Sequence, residues 1–348
     1  MITTLEEFYR ERYQALELEL LNRVSKRIGE DFQRISKACV EHWQRILKEA
    51  LKVQEREHIP CAYMSVSLLN TSLLEKKPIL QVDFYNGEWV YGEPWARGCM
   101  PGEFLFLEWE SFCAEALDDS FYVRNSLNGT AIRSLFWGTS EKLMYIFACF
   151  AKYFANELDE LPEFKALEKE QAMYVTCGTY LDWQERVHAV LPRLELGEVP
   201  DEGETRFRDY HGESYKKKTF LGLDLRHCRF YDCVFKNCVF EQTNISEGYF
   251  SNCRFKDTEF KEVKLAGCIW ENCGFESCGF MDSGTGEDGN EYFADAEMTR
   301  VKFSDTKIVG CDFSNFRLRE CQKMDVKLEN VSTVNSDWGS YVEVKADG

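Results

Sequence analysis

The chain has no apolar run of eighteen or more residues, which excludes a helical membrane span, and its start, MITTLEEFYRER, is acidic where a secretory leader would be positive. The richest apolar stretch, LMYIFACFAKYF from Leu143, is short and contains Lys152, so it reads as a buried helix. Histidine is scarce: His42, His58, His188, His211 and His227 show no close metal spacing, and neither a Ser-His-Asp signature nor a phosphate loop occurs. No residue is therefore assigned as catalytic, cofactor-binding or metal-ligating, and no cofactor is expected. Positive charge is short as well. The 42 Lys and Arg stand against 60 Asp and Glu, a net −18, which argues against nonspecific nucleic-acid or anionic-membrane binding and permits basic partners. From Phe220 onward 15 basic residues face 23 acidic ones, so neither half holds the acidity alone. Without an export signal the fifteen cysteines are expected as thiols in a reducing cytoplasm. The Asn-x-Ser/Thr triplets at Asn70, Asn128, Asn244 and Asn330 are then chance matches.

What is present is a repeat. Every fifth residue from Phe220 is large and apolar: Phe220, Leu225, Phe230, Phe235, Phe240, Ile245, Phe250, Phe255, Phe260, Leu265, Trp270, Phe275 and Phe280. Two residues before these, small side chains predominate, as in Cys228, Cys233, Cys238, Thr243, Gly248, Cys253, Thr258, Cys268, Cys273 and Cys278. A period of five fits neither a helix nor an ordinary strand, whose periods of 3.6 and 2 would scatter the aromatics over all faces. A chain that turns a corner at every repeat instead points one large and one small residue inward each time. The register breaks at MDSGTGEDGNEY, an acidic, glycine-rich loop insertion at 281–292, and resumes at Phe293, Met298, Phe303, Ile308, Phe313 and Leu318. Ala296, Val301, Thr306, Cys311 and Cys321 take the small positions there. Lys323 and Thr333 then occupy central positions while Leu328 and Trp338 keep phase, which reads as a capping region.

This spacing resembles the pentapeptide-repeat family, whose repeat is written A(D/N)LXX with a central Leu or Phe. The resemblance implies a right-handed quadrilateral β-helix of four repeats per coil, from Phe220 to about Trp338. At ~4.8 Å per coil, five to six coils make a rod roughly 25 to 30 Å long. The sequence departs from the family pattern in preferring Cys to Ala at the small position and in rarely placing Asp or Asn before the central residue. Nine cysteines fall at small positions with spacings in multiples of five, which puts thiols on successive walls or in line between coils rather than converging four ligands on zinc. Cys39, Cys61, Cys99, Cys113, Cys149 and Cys177 are scattered and read as buried thiols.

The first two hundred residues read as α+β, with long helices and a small antiparallel sheet. Thr3 with Glu6, or Thr4 with Glu7, makes a capping box ahead of an apolar stripe at Leu5, Tyr9, Tyr13, Leu16, Leu20, Val24, Ile28, Phe32, Ile35, Cys39, Trp43, Ile46, Ala50 and Val53, in one helix or two broken near Gly29. Strands are expected at CAYMSVSLL, PILQVDFY and, after an Asn86-Gly87 turn, EWVYG; helices at Glu103–Leu117, Ser140–Leu158, Pro162–Ala172 and Leu181–Leu191. Trp89, Tyr91, Trp95 and Arg97 form the densest aromatic cluster outside the repeats, a candidate groove if they are not edge packing. The expected division is a domain at 1–205, a linker at 206–219 that includes the basic run Lys216, Lys217 and Lys218, the solenoid at 220–340 and a tail at 341–348.

The reading favoured by these features is a non-catalytic interaction scaffold for a protein partner, with the N-terminal domain adding a contact or forming a homodimer. No direct nucleic-acid or membrane binding is expected. The family resemblance implies an alternative, an acidic DNA-like rod that binds DNA gyrase, inhibiting it or protecting it from quinolones. Arg254, Lys256, Lys261, Lys264, Arg317 and Arg319 interrupt any such negative stripe. A third reading makes the N-terminal domain a small-molecule binder or an enzyme that the solenoid positions.

Overall fold

The computed structural model describes residues 4–121, 129–192, 196, 205–284, 296–299, 301–314, 316–319 and 321–337. The chain divides into two compact units, Met1–Ala189 and Val190–Gly348.

In the N-terminal unit, Thr4 caps the first helix. Its hydroxyl accepts from the Glu7 amide at 3.1 Å while the Glu7 carboxylate accepts from the Thr4 amide at 3.2 Å. α1 (Leu5–Phe8) passes through a π-helical turn into α2 (Gln14–Glu30), and α3 (Phe32–Glu57) follows a break at Asp31, close to Gly29. α3 stops at His58, which is left-handed at φ 55°, ahead of Pro60. Tyr13, Leu20, Val24, Ile28, Ile35, Cys39, Trp43 and Ala50 of the stripe are buried.

β1 (Cys61–Leu68), β2 (Ile79–Tyr85), β3 (Ala96–Pro101), β4 (Lys169–Thr179) and β5 (Gln184–Val190) form one sheet in the order β3-β2-β1-β4-β5. It is mixed rather than antiparallel: β1 runs antiparallel to β2 but parallel to β4. The helical excursion between β3 and β4, including Trp109–Phe121 and Gly129–Ala151, gives the chain the length a parallel return needs. EWVYG is not a strand. Trp89–Tyr91 is a 3-10 turn with Trp89 at φ 47°, and β2 pairs instead with β3, Phe84 opposite Ala96. Pro94 could not donate to a ladder in any case. The expected helices at Pro162–Ala172 and Leu181–Leu191 are also corrected. A single turn, Pro162–Ala166, precedes β4, and β5 covers most of the second segment. Buried Met173, Val175 and Cys177 alternate along β4 with the strand period, which outweighs the weak helical pattern. Helix α3 approaches β3 closely because Gly98 has no side chain: a Cβ there would lie 2.5 Å from Ile46 Cγ2.

The C-terminal unit is a four-walled β-helix of six coils. Its first wall centres on Tyr210, Phe230, Phe250, Trp270, Met298 and Leu318; its second on Tyr215, Phe235, Phe255, Phe275, Phe303 and Lys323; its third on Phe220, Phe240, Phe260, Phe280, Ile308 and Leu328. Each is a six-stranded parallel sheet. The fourth wall is held by single bridges through Asp224, Asn244, Lys264, Gly284, Asp312 and Ser332. There Asp or Asn before the central residue accepts from the amide two residues on, as Asn244 does from Ser246 at 3.0 Å. The rings stack from coil to coil, with centroids 4.8 Å apart for Phe235 and Phe255 and 3.9 Å for Phe250 and Trp270.

The column begins earlier than the sequence pattern shows. Residues 206–219, expected as a linker, supply the strands Asp209–His211 and Ser214–Lys216, with Tyr210 and Tyr215 buried in the core. Tyr in place of Phe hides the first two rungs from a search for Phe and Leu. The insertion at 281–292 lies largely outside the described residues, as do Asn128, Phe293 and Trp338.

Two backbone devices accompany the core. The residue two past each central position turns the corner with φ near +50°, as at Asn237 (53°), Asn252 (56°), Asp257 (49°) and Asn272 (52°), with Gly at 222, 267 and 310. Where the small position holds Cys, Thr or Ser, it also donates to the central carbonyl one coil back: Cys253 to Phe230 at 3.4 Å, Thr243 to Phe220 at 3.0 Å, Ser283 to Phe260 at 3.2 Å.

Candidate functional surfaces

The aromatic cluster of the N-terminal unit does not line one groove. Trp89 stacks on Tyr63, centroids 4.9 Å apart, and its indole N–H donates to Ser65 Oγ at 3.3 Å. Trp95 packs on Phe84 at 5.4 Å, whereas Tyr91 is 95% exposed. Arg97 is committed elsewhere: its Nε donates to Asp83 Oδ1 at 2.7 Å. Asp83 is wholly buried and also accepts from Gln81 at 2.6 Å and Tyr85 at 3.4 Å. The bond to Asp83 raises the Arg97 pKa, while burial, then the Asp83 charge, pushes the Tyr85 phenol up.

The strand period explains this network. β1, β2 and β4 turn Met64, Val66, Leu80, Val82, Phe84 and Val175 to one face and Ser65, Ser67, Gln81, Asp83 and Thr176 to the other. On the polar face Thr176 donates to Gln184 at 2.9 Å and Gln184 to Ser67 at 3.0 Å. These polar atoms satisfy one another, so the network fixes strand register more than it presents a ligand site. A similar buried group ties α2 to Gly129–Ala151: Thr139 donates to Glu17 at 2.7 Å, and Lys142 reaches the same carboxylate at 2.7 Å. The histidines go singly, His188 to Asp159 at 3.0 Å and His227 to Glu247 at 2.7 Å, and among the described residues no group of His, Cys, Asp and Glu could hold a metal ion. Among the same residues no helix is long and apolar enough to cross a membrane.

In the β-helix the repeat-core residues Phe230, Phe235, Phe240, Phe250, Phe255, Phe260, Trp270, Phe275 and Phe280 are all buried, as are Cys228, Cys233, Cys238, Cys253, Cys268, Cys273 and Cys278. They are used in packing, and all fifteen cysteines are free thiols. The outward strand positions face away from this core, and their charge differs by wall. The first balances Arg229, Arg317 and Arg319 against Asp209, Glu271 and Glu297; the third balances Lys261, Lys307 and Lys327 against Glu241, Glu259 and Glu329. The second carries Lys216, Lys236, Arg254, Lys256 and Lys302 against Glu276 alone. Gly274 leaves an open trough of about 870 Å³ in its middle, between Arg254 and Lys302. Sequence reading missed this asymmetry because the five basic residues lie up to 86 positions apart and share a wall only once four repeats close a coil.

A family model described as a pentapeptide repeat region matches residues 210–283, and the N-terminal part has no family match. Solved structures similar to the chain include the pentapeptide repeat protein Rfr23 from the cyanobacterium Cyanothece 51142, at 10% identity over 37% of this chain and 91% of that one, with a TM-score of 0.25. HetL, from the cyanobacterium Nostoc sp. strain PCC 7120 and involved in heterocyst differentiation regulation, matches at 9% identity over 38% and 88%, TM-score 0.14. Full-length QnrB1, a plasmid-mediated fluoroquinolone resistance protein, matches at 15% over 38% and 92%, TM-score 0.14. Comparison with curated proteins gives no match. The five-residue register, the stacked parallel walls and the family match at residues 210–283 together identify the C-terminal unit as a pentapeptide-repeat β-helix.

Proposed function

We propose that this protein is a non-catalytic interaction scaffold whose β-helix presents its flat outer walls to a protein partner. One observation carries the reading: the described inward positions from Phe220 to Phe280 are taken up by packing, while the outward positions form regular ladders, charge-balanced on the first and third walls and basic on the second. The N-terminal unit would supply a second contact or pair with its own copy. The free thiols of the column fit a reducing compartment such as the cytoplasm.

The gyrase-binding alternative needs a continuous negative wall, and the wall that stands apart in charge is basic. The small-molecule alternative needs a cluster of unsatisfied polar groups around Arg97; Asp83 already takes that guanidinium, which leaves the buried Trp95 indole N–H as a lone orphan donor of the cluster. The test is capture by the intact chain, compared across variants that reverse charge on one wall at a time, such as Lys236→Glu and Lys327→Glu. A partner lost from one wall variant only is the expected result. No partner, or one retained by every variant, would sink the proposal.

A further inference from the structure

We infer that the second wall of the β-helix is a docking track for an acidic helix of the partner protein, laid along the coil axis. This rests on the scaffold reading and names the chemistry of its partner. Lys216, Lys236 and Lys256 are direct neighbours on successive rungs. Parallel rungs lie about 4.8 Å apart, and like charges directly opposite one another destabilise a sheet. Among the described residues only Lys256 of the three meets a carboxylate, that of Glu276. Arg254 flanks the ladder and donates to the Asn272 carbonyl at 3.1 Å, and Lys302 extends the cationic surface beyond the Gly274 trough. Asp232, Asp257, Asp305 and Asp325 sit at the corners bordering this wall, with Lys217 at the corner of the first coil, and the acidic rim flanks a positive stretch from Lys216 to Lys256.

Spacing selects the occupant. Acidic residues at i, i+4 and i+7 of a helix recur about every 5.4 Å, so three of them span about 11 Å against about 9.6 Å for three rungs, within the reach of lysine side chains. An extended segment repeats a face about every 6.7 Å and drifts out of step by the third rung. A wall three strand residues wide, about 10 Å, also matches the width of one helix.

The experiment is fluorescence anisotropy with the full-length protein and three labelled probes. These are a helical peptide with Glu at i, i+4 and i+7, an isomer of equal charge with its Glu spread around the helix, and a single-stranded 20-mer oligonucleotide. The ordered peptide should bind more tightly than either other probe and weaken as salt rises. Lys236→Glu should cut that binding at least fivefold while raising Tm, because a Lys–Glu–Lys ladder replaces three like charges; loss of binding then does not report unfolding. Unchanged binding by Lys236→Glu, equal binding of the isomer, or tighter binding of the oligonucleotide each overturns the track. A captured partner retained by Lys236→Glu overturns the track and leaves the scaffold standing. Absence of any captured partner sinks the scaffold and, with it, the partner helix that the track would hold.

Discussion

At the scale of the residue, a Cys, Thr or Ser at the small position of a repeat does two things, since it fits beneath the neighbouring rings and donates to a carbonyl one coil back. Cys, Thr and Ser all meet both needs, and Thr243, Thr258 and Ser283 make the same bond as the cysteines. Cys253→Ser should therefore change the unfolding free energy measured in urea by less than about 1 kcal/mol, whereas Cys253→Leu, which overfills the column, should cost about 1–3 kcal/mol. Phe250 lies between the rings of Phe230 at 4.8 Å and Trp270 at 3.9 Å, so Phe250→Ala should lose about 3–5 kcal/mol in the same assay and Phe250→Asp should not fold. Thiol accessibility gives an independent check. Cys99 is exposed while Cys39 and Cys228 are buried, and a thiol reagent on the native protein should show a fast phase that Cys99→Ser removes.

At the scale of the element, the corners decide whether a five-residue strand-and-turn can repeat. Asn237 turns at φ 53°, where a β-branched side chain clashes with its own backbone. Asn237→Val should cost about 1–3 kcal/mol and Asn237→Gly little, measured by thermal unfolding. These corners were visible in the sequence as Asn, Asp and Gly two residues past many of the Phe positions, with Gln242, Glu262 and Ser277 at others, but without a backbone angle they read simply as polar positions. The Phe and Cys periods were legible because each coil repeats one environment. The first coil was not, since Tyr210 and Tyr215 follow a segment rich in charge and glycine. In the N-terminal unit the long helical stripe and β1 and β2 were legible from apolar spacing. β3, β4 and β5 were not, because their pairing is set by partners distant in sequence: Cys177 pairs with Val66. The Trp89–Arg97 cluster shows the same limit. Composition brought the residues together, but the positive φ of Trp89 and the buried charge of Asp83 send their side chains to different partners.

At the scale of the whole molecule, the thiols couple folding to pH. Burial pushes Cys39, Cys61, Cys228 and Cys278 up to about 12, while in an unfolded chain each ionises near 8.5. The folded state therefore holds protons that the unfolded state releases between those values. The contribution is complete below about pH 8.5 and lost as pH rises toward 12, at ~1.4 kcal/mol per thiol per pH unit. Cys39 and Cys61 lie in one unit and Cys228 and Cys278 in the other, so each unit loses ~2.8 kcal/mol per pH unit above about 8.5 and its unfolding is expected between about pH 10 and 12. Circular dichroism against pH, repeated on a Cys228→Ser and Cys278→Ser variant, should show the transition move to higher pH. The four-walled coil also makes insertion and deletion lengths unequal in their effects. Excising twenty residues, one full circuit, shortens the column and leaves every later side chain facing as before. Excising five turns all that follows through a quarter circle, moves Lys302 off the wall it shares with Lys236, and breaks the basic track while keeping the core. Descent by duplication is thereby quantised, since changes of whole circuits preserve recognition and changes of single repeats redraw the surface on an unchanged frame.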